Sequence, residues 1–209
     1  MTDPLHSHRR PVLTGWWGRI GAVVLVLATL AIGARIEPFT TDSDAQQRPY
    51  VHAAAAGKTV SARTFTVAVL GVRGTELLTQ DDKAHNTSGV WILVHLRLTA
   101  VHSPATVTYA ALRDDQGRTY PATGRIDQRL LDGVPFEPGV PIVADLAFEV
   151  PASVATGLSI QLSGDPGGQL GDLRMDAVAQ IRLPITTTEV KQWTASKTSL
   201  SPATTALAE

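Results

Sequence analysis

The chain has 209 residues, 44% hydrophobic and 18% charged, with a formal net charge of −1 and no cysteine. The lack of cysteine excludes disulfides, thiolate metal sites and a lipid-modified cysteine anchor. The basic residues are scattered, which argues against nucleic-acid binding, since neutralising phosphates needs a concentrated cationic face.

In chain order, residues 1–11 read as a cytoplasmic segment and 12–35 as a transmembrane signal anchor. The centre of the anchor, IGAVVLVLATLAIGA from Ile20 to Ala34, is uncharged and bounded by Arg19 and Arg35. A spanning helix needs about 20 apolar residues. The span therefore has to reach back to Val12, with the Arg19 stem carrying its charge to the headgroups and Trp16 and Trp17 at the interface. Arg9, Arg10 and Arg19 predict a cytoplasmic N-terminus and an exported C-terminal bulk. The Arg9-Arg10 pair is the ordinary positive flank of such a segment rather than a twin-arginine signal. Ala31-Ile32-Gly33 leaves open a second outcome, cleavage before Ala34 and secretion.

Residues 36–57, rich in Thr, Asp, Gln and Pro and without periodicity, read as an extracytoplasmic stalk. Of the 18 basic and 19 acidic residues, Arg9, Arg10, Arg19, Arg35 and Asp3 lie at or before position 35, so the exported part carries about −4. From 58 to 192 the dominant period is two. Val90, Ile92, Val94, Leu96 and Leu98 alternate with Trp91, Leu93, His95 and Arg97, and Ile142, Ala144, Leu146, Phe148 and Val150 alternate with Val143, Asp145, Ala147 and Glu149. Shorter runs of the same kind surround Val67, Ile160 and Ile181. Each run offers one apolar face to a core and a more polar face to solvent. Asp114-Asp115-Gln116-Gly117 reads as a hairpin connection. About seven short strands with no crossover helices predict an all-β fold of two packed antiparallel sheets. A last extended run, Ile185 to Val190, is expected as an edge strand, and residues 193–209 as a disordered Ser/Thr/Ala-rich tail.

Several segments together carry a family resemblance. They are Phe65 to Val72, Gly89 to Val94, Asp115 to Tyr120, the Glu137-Pro138-Gly139 turn, and Phe148-Glu149-Val150-Pro151. In this order they resemble a bacterial immunoglobulin-like ectodomain family of unknown function, related to the small secreted immunoglobulin-like immunogenic proteins of actinobacteria. The resemblance covers Gly57 to Leu183 and implies an immunoglobulin-like sandwich behind a signal peptide, lipid anchor or single membrane helix. Where such domains often place Asn after the long central strand, this chain has Ala100. The family brings no catalytic residues with it.

Residues able to carry chemistry are few. Of the six histidines, His6 and His8 precede the membrane segment, His52, His85, His95 and His102 are not at metal-ligand spacing, and His95 shares a strand face with Trp91, Leu93 and Arg97. No nucleophile elbow, H-E-x-x-H or Walker pattern occurs. The glycines of 164–171 do not have dinucleotide-binding spacing and read as a long turn. Asp81-Asp82 and Asp114-Asp115 are acid pairs in turn-like surroundings, where Asp is favoured for bonding its own backbone. Asp165, Asp172 and Asp176 form a calcium candidate weighed against the same turn preference. Asn86-Thr87-Ser88 fits a glycosylation sequon, accidental behind a bacterial export signal.

No catalytic, cofactor or metal residues are assigned. The expectation is a non-enzymatic, membrane-anchored module that touches the bilayer through its N-terminal helix and binds an envelope protein or small component. The alternative is a soluble ligand carrier or inhibitor released near Ala34. A hydrolase with a site built from His95 or the Asp81-Asp82 and Asp114-Asp115 turns is a third reading.

Overall fold

The computed structural model describes residues 50–164 and 177–208, together with Ile20, Val23 and Leu25, which are helical and exposed. The chain divides into two units, Met1–Gln47 and Arg48–Glu209. Apart from those three residues, the expected anchor and the stalk up to position 49 lie outside the described residues, as do Asp165, Asp172 and Asp176. Among the described residues no helix is long and apolar enough to cross a membrane.

Two five-stranded sheets make up the second unit. The first contains β1 (Tyr50–Ala55), β5 (Val107–Arg113), β6 (Thr119–Pro121), β8 (Ser159–Gly164) and β9 (Ala177–Arg182), in the order β1-β9-β8-β5-β6. The second contains β2 (Val60–Ser61), β3 (Phe65–Gln80), β4 (Lys83–Ala100), β7 (Ile142–Val150) and β10 (Ala206–Leu207), in the order β10-β7-β4-β3-β2. Alternation turns Val90, Ile92, Val94, Leu96 and Leu98 of β4 inward against Leu146 and Phe148 of β7 and Ile160 and Leu162 of β8, all fully buried in one core. The β3–β4 hairpin closes at Asp81-Asp82, both at positive φ (49° and 59°), the conformation of a two-residue turn whose twist suits its strands. Asp81-Asp82 is thus a turn, as its surroundings suggest.

Four expectations are corrected. Among the described residues there are ten strands rather than about seven, and β1 runs parallel to β9, so the sheets are not wholly antiparallel. Tyr50–Ala55, inside the expected stalk, form β1; this Ala-rich segment has no apolar alternation of its own and instead completes the open edge of β9. The edge strand expected at Ile185 to Val190 is instead the start of helix α1 (Thr187–Ala195). Thr186 caps it, accepting from the Glu189 N–H while the Glu189 carboxylate accepts from the Thr186 N–H, a reciprocal capping box. Three successive β-branched threonines disguise that pattern in the sequence.

The fourth correction concerns the tail. Leu200 bridges Leu78, its carbonyl accepting from Thr79 N–H (2.9 Å) and its N–H donating to Leu77 (3.1 Å), and β10 pairs with Ile142 and Val143 of β7. These backbone bonds to the edge of a formed sheet order a segment whose composition alone could not.

Candidate functional site

The outer face of the β3-β4-β7 sheet carries a cluster of polar and charged side chains around Asp145 and Glu149. Trp91 and Leu93 on this face are fully buried with Leu78, Ile126 and Ala147, so it does not face solvent as the alternation predicts. The 122–137 segment and the C-terminal tail cover it. Gln128, itself buried, accepts from Ala147 N–H (2.8 Å) and donates to the carbonyl of Thr123 (2.6 Å). The first of these bonds, with that from the Thr123 N–H to the Ala147 carbonyl (3.1 Å), satisfies the middle of β7 on the edge away from β4.

Asp145 stands at the centre. It is paired in register with His95, and its carboxylate is fully buried, accepting from His95 Nδ1 (2.7 Å), from the Arg73 guanidinium and from the backbone N–H of Ala203 (2.8 Å). Three donors compensate a charge that burial would otherwise make very costly. Arg73 reaches it across β4 from β3, past a register shift between Val69 and Gly71. Asp145 therefore fastens the tail to the sheet. Sequence reading passed over it as one of the solvent-side positions of β7; the available signal was an acid in a strongly apolar strand.

Toward the other end of the face, Arg125 donates from Nη1 to both oxygens of Glu149 and from Nη2 to the Asn86 carbonyl (3.0 Å each), with its guanidinium 5.2 Å from the Trp91 ring centre. Thr87, the middle residue of the sequon, donates to Glu149 at 2.6 Å. Burial works against ionisation of Glu149, but the Thr87 and Arg125 bonds outweigh it and hold its pKa below the ordinary value.

The other acid pair is also engaged. Burial opposes ionisation of Asp114, yet it accepts from Arg118 Nε (2.7 Å) and from the N–H groups of Gln116 and Arg118 (2.9 Å each), and its pKa stays below the usual value. Asp115 is held low by hydrogen bonds from Arg182. Both build the β5–β6 connection and its tie to β9, and carboxylates held ionised in this way are poorly suited to proton transfer near neutral pH. His52 and His102 are exposed, and His85 contributes its carbonyl to the Trp91 indole N–H at 2.8 Å. Among the described residues no group of three or more His, Cys, Asp or Glu is placed to hold a metal ion.

Two adjoining depressions lie beside the tail. The first, about 430 Å³, is walled by Leu130, Val134, Phe136, Ile142 and Leu207, with Arg129 and Glu137 also lining it. Val134 and Leu207 remain 61% and 70% exposed, so its lip is open. The second, about 290 Å³, is polar and includes Gln80, Asp81 and Asp127; it shares Arg129, Leu130 and Thr205 with the first. Gln80 locks Asp127 in place through a reciprocal pair of bonds to its backbone, 2.8 Å each. None of the residues of either depression except Asp81 was singled out from the sequence as a site, because they come from four separated segments.

By its two facing sheets, the second unit is a β-sandwich protein. No family model and no curated protein matches the chain. Among solved structures it is similar to the yjhA protein from Bacillus subtilis, with 12% identity and a TM-score of 0.45, over 62% of this chain and 98% of that one. An uncharacterized beta-sandwich protein from Clostridium difficile 630 is similar at 10% identity and a TM-score of 0.40, over 65% of this chain and 95% of that one.

Proposed function

We propose that this protein is a non-enzymatic, membrane-anchored extracytoplasmic module of the bacterial envelope, immunoglobulin-like in fold, whose role is to bind another envelope protein. The observation that carries this reading is the arginine-flanked apolar run Ile20 to Ala34 ahead of a β-sandwich. Supporting it, the acid pair of the β5–β6 connection is spent on internal bonds, while an apolar groove stands open beside an edge strand. Sandwich edges and the loops beside them are common recognition surfaces.

The test is expression in a bacterium followed by membrane fractionation, alkaline carbonate extraction and intact mass. The expected result is a carbonate-resistant membrane protein that keeps the residues before Ala34, with its C-terminal unit digested by protease in spheroplasts. Protease protection in intact spheroplasts would overturn the topology.

A soluble product beginning at Ala34 would favour the second reading, a secreted ligand carrier. The groove supports that reading by volume alone, about 430 Å³ against the range of about 300–1,000 Å³ common to ligand pockets, and its open lip counts against it.

A further inference from the structure

We propose that the groove beside β10 binds an extended peptide of a partner protein, with an apolar side chain against Leu130, Phe136 and Ile142 and an adjacent Lys or Arg against Asp81 and Asp127. This rests on the protein-binding reading above and names its surface and the chemistry of its partner.

Phe136 and Leu130 are held by the sandwich itself, Phe136 through reciprocal backbone bonds to Ala105 (2.9 and 3.0 Å) and an edge contact with Phe65. The floor is therefore rigid. Leu207 borders this volume but leaves it unfilled, since its side chain remains mostly exposed. An open lip exposes too much of a small ligand for tight capture. It suits one side chain projecting from an extended chain.

Charge selects the occupant. Asp81, Asp127 and Glu137 line the joined depressions with a single free cation, Arg129, and none of the four side chains has an ion-pair partner among the described residues. The fourth carboxylate there, Asp145, is already engaged by Arg73 and His95. A local excess of acid repels an anionic headgroup, and it repels the same acidic surface of a second copy. A basic residue next to an apolar one meets both depressions at once, leaving Arg129 to bond peptide carbonyls.

The experiment pans a random octapeptide display library against the full chain in phosphatidylcholine nanodiscs, after counter-selection on empty discs. Expected are peptides with an aromatic or aliphatic residue followed within two positions by Lys or Arg. Val134→Asp, at an exposed position, should weaken the best of them about tenfold, the loss of one apolar anchor. Asp127→Lys should shift selection to acidic peptides, its backbone bonds to Gln80 being retained. Melting temperatures of both variants, unchanged from the parent, exclude misfolding. No enrichment, enrichment without a basic residue, or binding indifferent to both substitutions would overturn the proposal. So would a concentration-dependent dimer dispersed by Val134→Asp. Membrane fractionation is independent of these readouts, so failure here leaves the anchoring result standing.

Discussion

The two faces of β4 are built from one strand and obey different rules. Its inner residues, Val90 to Leu98 in steps of two, pack in the apolar core between the two sheets. Its outer residues pass from Trp91 and Leu93, fully buried, to His95 on Asp145 and then to exposed Arg97, and the first two are covered by Leu78 of the adjacent strand together with Ile126 and Leu200 from distant parts of the chain. The inner face is stabilised by removal from water, which needs no particular partner. The outer face depends on specific partners, since a buried carboxylate is tolerable only with its donors in place.

This difference can be broken or sharpened by substitution, each variant being measured by urea denaturation. Phe148→Ala in the inner core should cost about 3–5 kcal/mol, a cavity with no means of collapse between two sheets. Asp145→Ala should cost about 2–3 kcal/mol, less than for a fully buried ion pair because Arg73 and His95 are partly exposed. It should also raise amide exchange at Ala203 while leaving inner strands protected. Equal exchange in both regions would mean that the tail is not fastened through Asp145.

A smaller loss is expected at Gly74, where an added Cβ would stand 2.3 Å from the Trp193 ring atoms. Gly74→Ala forces that side chain aside and should cost about 1–2 kcal/mol. A neutral result would mean that Trp193 of α1 is not held against Gly74 beside the inner core. Thr186→Ala removes the helix cap, with an expected loss of about 1 kcal/mol.

The smallest effect is on pH dependence. Glu149 has a lowered pKa in the fold, so its contribution is complete above the unfolded value of about 4.3 and disappears as pH falls through the lower folded value. The urea midpoint should therefore drop below about pH 4, and less steeply in Glu149→Gln than in the parent.

Much of this was legible beforehand. Alternation around Ile92, Leu146 and Ile160 foretells the strands, their inward faces and a two-sheet all-β fold, because a period of two has one physical meaning wherever a core exists. Asp114-Asp115-Gln116-Gly117 announces its turn because Asp bonds its own neighbouring backbone, an interaction local to the chain.

Other features required the folded molecule. Tyr50–Ala55 became a strand, and Leu200 and Leu207 became sheet partners, only because β9, β3 and β7 offered them backbone groups to satisfy. Asp145 acquired its meaning from Arg73, His95 and Ala203, and the groove from Leu130, Phe136, Ile142 and Leu207, each set drawn from distant positions. Local patterns are determined by the sequence by itself, since they depend on backbone periodicity and nearest neighbours. Long-range hydrogen bonds and the walls of a groove exist only once the chain has closed on itself, and these the tertiary structure alone decided.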